Sequence, residues 1–88
     1  MPEVDSSLIG FHIEILFSFT EPDSTTYLDW CHGTVIAIAS ESSRKVKIKW
    51  DTECLRPEDP THTVDKLLKS QWNPSVAKKG SWREYLME

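Results

Sequence analysis

The sequence predicts a mainly β fold in one small domain, on three observations. Apolar and polar residues alternate along several segments, turn-forming residues separate these segments, and 88 residues are enough for a single domain. Hydrophobic residues make up 39% and charged residues 27% of the chain, as in ordinary folded domains. We assign residues 8–88 to that domain and expect residues 1–7, MPEVDSS, to be a flexible N-terminus. So small a chain has little room for an enclosed catalytic cleft, and we expect no enzymatic activity.

The first strand is predicted in IGFHIEILFSF, because one parity of this segment is apolar. The apolar members are Phe11, Ile13, Ile15, Phe17 and Phe19. The stretch TEPDSTT that follows is rich in turn-forming residues and predicts a loop.

The second and third strands are predicted as an antiparallel hairpin. YLDWCHGTVIAIAS is rich in β-branched and aromatic residues, and its Gly33 indicates a bulge or a close approach of another chain segment. ESSR forms a short connection to KVKIKWD, residues 45–51. In this third strand Val46, Ile48 and Trp50 share one parity and are expected to face the core.

The end of the chain predicts a short helix. Ser81 precedes Glu84 by three residues, as in a capping box, and apolar residues follow with helical spacing. We therefore expect a C-terminal helix or 3₁₀ turn that packs Trp82 against the rest of the domain.

The net charge of −4 is unevenly distributed. Residues 1–43 contain seven acidic residues and no lysine or arginine, whereas residues 44–88 contain ten basic and seven acidic residues. An acidic half favours basic ligands. No secretory signal or membrane span is recognised, and two cysteines without a C-x-x-C pair favour a reduced, intracellular protein. We expect no membrane association and a monomer.

Cysteine and histidine side chains are the preferred ligands of zinc, and Cys31, His32, Cys54 and His62 are of these types. Their spacing fits no familiar closed site. The sequence therefore predicts no metal and no cofactor.

Two motifs carry a resemblance to a known family. WCHGTV contributes Trp30, Gly33 and Val35, and KVKIKWD contributes Val46, Ile48, Trp50 and Asp51. Over roughly residues 9 to 70 the pattern resembles the SH3-like barrel of Tudor and related chromatin-reader modules. Residues 62–72 fit both a helical stripe and strand parity, but such a barrel needs a fourth strand, so we expect a strand over residues 62–69. The resemblance also implies a nuclear protein.

The resemblance implies a reader of basic, histone-like protein tails that carry methylated lysine or arginine. In this family aromatic rings and a nearby carboxylate hold the cation, which the negative faces of the rings attract. The candidate ligand-binding residues are Trp50, Asp51, Trp30, Tyr27, Phe19 and Asp29. The second-strand position that is often aromatic in the family is Cys31 here.

Three alternatives remain open from the sequence. Trp50 is also the largest residue of its apolar parity and could serve only the core. The basic residues Arg44, Lys45, Lys47 and Lys49 could instead follow a phosphate backbone, which predicts a nucleic-acid-binding barrel. The third alternative is a structural or dimerisation domain without a ligand.

Overall fold

Five antiparallel strands form one sheet in the computed structural model, which describes residues 1–86. The strands are β1 His12–Thr20, β2 Thr26–Ser40, β3 Lys45–Trp50, β4 His62–Lys66 and β5 Trp82–Glu84. Their order is β4-β3-β2-β1-β5, so β4 and β5 are the two edges. The mainly β class is confirmed. The closed barrel is corrected to an open sheet, because each short edge strand pairs with one neighbour and not with the other edge.

Strand β2 is 15 residues long and connects the two halves of the sheet. Its first half pairs with β1 and its second half with β3, and two register shifts follow Val35 and Ile38. Such irregularities bend a strand and increase its twist. At Gly33, by contrast, pairing is regular, and a Cβ atom would lie 2.6 Å from the Lys49 carbonyl oxygen. The close approach predicted for Gly33 is confirmed, and the bulges lie further along β2.

The hairpin between β2 and β3 forms as predicted. The Arg44 amide donates to the Glu41 carbonyl oxygen at 3.2 Å, and Arg44 adopts φ of 57°. Val46, Ile48 and Trp50 are buried and the intervening lysines are exposed, so the predicted parity of β3 is confirmed.

One hydrophobic core joins β1, β2, β3 and β5 to segments outside the sheet. Its buried members are Val4, Leu8, Ile13, Ile15, Cys31, Val35, Val46, Ile48, Trp50, Leu67 and Trp82. The sequence predicts a flexible segment over residues 1–7. In the structure Val4 is buried there and a 3₁₀ turn, Ser6–Leu8, begins where the Asp5 carboxylate accepts the Ser7 amide at 2.9 Å.

The C-terminal helix is corrected to a strand. Trp82–Glu84 pairs with Ile13–Ile15 as β5, and the Ser81 hydroxyl accepts the Lys78 amide at 2.9 Å instead of capping a helix. The local capping pattern is overridden because the edge of β1 offers free backbone groups. Trp82 becomes fully buried, and its indole N–H donates to the Leu68 carbonyl oxygen at 2.8 Å.

The ambiguous segment is a strand over His62–Lys66, which confirms the predicted type with an earlier end. The chain then leaves the sheet, and a 3₁₀ turn spans Lys69–Gln71. Among the 86 residues that the structure describes, no helix is both long and apolar enough to cross a membrane.

Candidate functional site: an aromatic pocket beside β3

A concave pocket of about 260 Å³ opens at the end of β3. We call it the aromatic pocket. Its walls are the rings of Phe17, Phe19 and Trp50, and Asp59 and Asp65 are its acidic residues. Most of its surface is apolar, so a ligand group that enters leaves water and meets ring faces and two carboxylates.

The alternation of β1 explains why these rings converge. Phe17 and Phe19 follow Ile13 and Ile15 on the core parity of the strand. Strands β1 and β3 are separated by β2 and would lie about 10 Å apart in a flat sheet. The Phe17 and Trp50 ring centroids are nevertheless 5.3 Å apart, at an interplanar angle of 76°. The small side chain of Cys31, on β2 between them, leaves room for this edge-to-face contact.

Hydrogen bonds fix the orientation of Trp50. Its indole N–H donates to the Thr63 hydroxyl at 2.7 Å, and that hydroxyl donates to the Asp65 carboxylate at 2.5 Å. Only 5% of Trp50 is exposed. Trp50 is therefore both a core residue and a pocket wall, which joins two interpretations that the sequence left as alternatives.

A cation already lies over one pocket wall. The Arg56 guanidinium carbon is 5.5 Å from the Phe19 ring centroid. Its Nε lies 3.5 Å from an Asp59 carboxylate oxygen and 3.6 Å from one of Glu58. The aromatic face and its carboxylate thus accommodate a positively charged group of this same chain.

Two further predicted residues border the pocket without entering it. Tyr27 stacks on Phe19, with centroids 5.5 Å apart, and Asp29 lies nearby on β2. Both line a second cavity of about 400 Å³. The boundary between the two cavities consists of the residues that line both, namely Phe19, Cys31, Cys54 and Arg56.

The structure places Asp51 and Trp30 away from the aromatic pocket. Asp51 pairs with the His32 imidazole. Trp30 lies on the opposite parity of β2 and contributes only to the second cavity, and the Arg83 guanidinium carbon lies 3.8 Å from its ring centroid. Arg83 in turn forms an ion pair with Glu14. Of the six predicted residues, only Phe19 and Trp50 line the aromatic pocket itself.

The predicted set lacked the third aromatic wall of the pocket, Phe17, and both of its carboxylates, Asp59 and Asp65. Phe17 shares the parity of Phe19, so the alternation of β1 could have identified it. No sequence signal identified Asp59 or Asp65, because the loop after β3 and strand β4 reach the pocket only by folding back along β3.

The floor of the aromatic pocket contains two free thiols. Burial raises the pKa of the Cys31 thiol to about 11, and it also raises the pKa of Cys54. Both thiols are therefore neutral near pH 7, and the negative charge of the pocket comes from its carboxylates.

The opposite side of the hairpin carries a second surface, which we call the lysine face. It consists of the exposed side chains of Lys45, Lys47, Lys49 and Lys66, since Lys66 pairs with Lys45 across β3 and β4. Within residues 1–86 none of these four forms an ion pair with an acidic side chain. Arg44 is held differently, because its Nε donates to the Leu67 carbonyl oxygen at 2.6 Å.

The chain was compared with protein-family models, with curated proteins and with solved structures, and none of the three comparisons finds a match.

Proposed function

We propose that this chain is a non-catalytic interaction module that binds a basic protein tail, with a methylated lysine or arginine side chain in the aromatic pocket. The observation that carries the proposal is the convergence of Phe17, Phe19 and Trp50 beside two carboxylates. Aromatic faces attract a cation by about 0.5 to 2 kcal/mol per good contact, more as the site excludes water. Methyl groups also add apolar surface that this lining can bury.

The position of Arg56 supports a cationic ligand in particular. An apolar ligand would gain nothing from Asp59 and Asp65, whereas an ammonium or guanidinium group pairs with them. The kinship with SH3-like chromatin readers and a nuclear location are part of the same proposal.

The test is a calorimetric titration with peptides that are identical except at one lysine or arginine. That residue is either unmodified or methylated, with one to three methyl groups on lysine and one or two on arginine. Phe19→Leu should lower the affinity for the best-bound peptide about 2- to 30-fold, which corresponds to the loss of one cation–π contact. Phe11→Leu is the matched control, because Phe11 lies outside the pocket. Equal effects of the two substitutions, or equal binding of all peptides, would count against the proposal.

The lysine face favours a second candidate function, the binding of nucleic acid. Four lysines lie on one side of the sheet, and within residues 1–86 none of them forms an ion pair with an acidic side chain, so they present positive charge to a phosphate backbone. We include Lys66 in this candidate face because it lies beside Lys45, and we give Arg44 a smaller part because its Nε donates to the Leu67 carbonyl oxygen.

Salt dependence tests this second candidate. Each phosphate contact that is lost should reduce the slope of log affinity against log salt by about 0.9 for duplex DNA. Lys47→Gln combined with Lys66→Gln should reduce the slope by about twice this amount, measured by fluorescence anisotropy. Lys78→Gln with Lys79→Gln, exposed lysines outside the face, should leave it unchanged. Binding without salt dependence would exclude this function.

A structural or dimerisation domain without a ligand remains the third candidate. It predicts a defined oligomer in sedimentation velocity, whereas the two binding functions predict a monomer. A monomer that binds one of the two ligands would eliminate it.

A further inference from the structure

Strand β4 is a free edge of the sheet next to the aromatic pocket. Its Thr63 and Asp65 line the pocket, and the residues between and beside them are exposed. Its partner in the sheet is β3, and within residues 1–86 no other segment forms a backbone hydrogen bond with its outer side. The pocket is therefore continuous with an unpaired strand edge, to which an extended peptide can add.

The register of β4 shows which of its backbone groups are unpaired. The Trp50 amide donates to the Thr61 carbonyl oxygen at 2.8 Å, just before β4 begins. The Leu67 amide donates to the Arg44 carbonyl oxygen at 2.9 Å, just after it ends. Hydrogen-bonded pairs alternate with non-hydrogen-bonded pairs along antiparallel strands, so every second residue of β4 directs its N–H and C=O groups outwards. The outward-facing residues are His62, Val64 and Lys66.

We propose that the tail binds as a sixth strand along the outer side of β4, with its methylated residue opposite Asp65. This inference rests on the proposed function, because the methylated side chain still enters the aromatic pocket. Directly opposite residues of neighbouring strands point to the same face of a sheet, so this side chain lies on the side of the Asp65 carboxylate. Neighbouring strands are about 4.8 Å apart, a distance that the four-carbon stem of lysine can cross.

The surface beside this edge specifies the residues that flank the methylated one. Those two residues point to the opposite face of the sheet, where one lies opposite Lys66 and the other opposite Val64. Lys66 belongs to the lysine face and favours an acidic neighbour, whereas Val64 is 55% exposed and favours an apolar one. The ligand is therefore a tail in which the methylated residue stands between an acidic and an apolar residue, rather than a run of consecutive basic residues.

The lysine face argues against a second copy of this chain as the occupant of the edge. Two β4 strands that pair antiparallel across a two-fold axis at Val64 would form one continuous sheet. Their lysine faces would then lie on the same side of that sheet, with the Lys66 side chains near the junction. Like charges on neighbouring strands are destabilising, whereas an acidic residue of a tail offsets them.

Methylation of the peptide backbone tests strand pairing without altering the fold of the protein. The probe is a short peptide with glutamate on one side of a trimethyl-lysine and isoleucine on the other, made in both orders because a strand can add in either direction. Each amide of the better-bound peptide is then replaced in turn by its N-methyl form, and calorimetry gives the affinities. We expect the affinity to fall about 2- to 10-fold at every second position, since alternate N–H groups of an added strand point to β4.

The flanking glutamate provides the second test. Its replacement by lysine in the peptide should lower the affinity about 2- to 5-fold, the equivalent of one exposed ion pair. In Lys66→Glu this preference should disappear or reverse, because the side chain opposite the tail then carries the other charge. Lys78→Glu changes an exposed lysine outside the lysine face and is the matched control, which should keep the preference for glutamate.

The outcomes distinguish this inference from the proposed function. If no methylated peptide binds, both are overturned. If peptides bind but N-methylation has no alternating effect, or if Lys66→Glu keeps the preference for glutamate, the strand pairing is overturned and the pocket remains a binding site. A dimer that Val64→Pro dissociates, because proline removes an outward N–H group, would also overturn it by showing a second copy at the edge.

Discussion

The two sides of the β2–β3 hairpin offer opposite chemistry to a ligand. On one side Trp50 closes an aromatic pocket whose acidic residues are Asp59 and Asp65, and on the other side the lysine face is exposed. Both arise from the same alternation of β3, because successive side chains point to opposite faces of a sheet. The difference teaches that the sign of a ligand's charge, rather than its size, distinguishes the two candidate functions of this chain.

This comparison also corrects an argument from net charge. The acidic half of the sequence, residues 1–43, contributes Phe17 and Phe19 to the aromatic pocket but neither of its two carboxylates. Asp59 and Asp65 come from the half with a positive net charge. Local placement of charge by the fold, and not the charge of a segment, determines which ligand a surface attracts.

The largest expected effect is a loss of stability that would disturb both sides of the hairpin together. Trp50→Ala removes a ring that is 5% exposed and should lower the free energy of unfolding by about 3 to 5 kcal/mol. Trp30→Ala is the matched control, because Trp30 lies outside the core and loses mainly a cation–π contact worth about 1 kcal/mol. Urea denaturation measures the free energy of unfolding of both variants. Similar losses for the two variants would contradict a core role for Trp50.

The reactivity of Cys31 tests whether its thiol is buried at the floor of the aromatic pocket. Its pKa is raised from 9.0 to about 11, so at pH 8 the folded chain should hold about 100-fold less thiolate at this position than an unperturbed cysteine. Alkylation by iodoacetamide should be slower in the native chain by a similar factor and should accelerate as the pH rises towards 11. The unfolded chain releases this proton first, so stability should fall over the same range. Equal alkylation rates for native and urea-unfolded chains would contradict the burial of the Cys31 thiol.

Gly33→Ala tests the close contact between β2 and β3 that positions both surfaces. The added Cβ would meet the Lys49 carbonyl oxygen at 2.6 Å and the Ile48 Cγ2 at 2.9 Å. We expect a loss of about 1 to 3 kcal/mol in the free energy of unfolding, measured by thermal and urea denaturation. Gly10→Ala distinguishes crowding from backbone strain, since Gly10 has a positive φ but nothing within 4 Å of its Cβ position.

The smallest expected effect distinguishes the cation–π contact in the aromatic pocket from the one outside it. Arg56→Ala removes the cation over Phe19 and should raise the affinity for a methylated peptide about 2- to 5-fold, because the ligand no longer competes with a contact of 0.5 to 1 kcal/mol. Arg83→Ala removes the equivalent cation from Trp30 and should leave that affinity unchanged. A weaker peptide complex in Arg56→Ala would show that Arg56 supports the ligand instead of competing with it.

Alternation in the sequence predicts the parts of the fold that depend on neighbouring residues. The apolar parity of β3, the β2–β3 hairpin and the tight contact at Gly33 are all readable from local patterns and are confirmed. The terminal helix was wrong because Ser81 and Glu84 form a plausible local cap. The free edge of β1 and the burial of Trp82 stabilise a strand instead.

The candidate site was predictable only in part, for a related reason. Phe19 and Trp50 were found by their types and parity, and Phe17 could have been found in the same way. The carboxylates of Asp59 and Asp65, the displacement of Asp51 towards His32 and the covering of Trp30 by Arg83 all depend on contacts between distant segments. Neither periodicity nor composition carries information about such contacts.

The most direct test of the aromatic pocket as a cation-binding site is a ¹H–¹⁵N spectrum of the chain during titration with a trimethyl-lysine peptide. The Trp50 indole N–H, which donates to Thr63 at the pocket wall, gives its own resonance. The account predicts a saturable shift of this resonance, while the indole resonance of the fully buried Trp82 and the backbone resonances of Lys45 and Lys47 stay in place. An unchanged Trp50 resonance, or shifts confined to the lysine face, would contradict it.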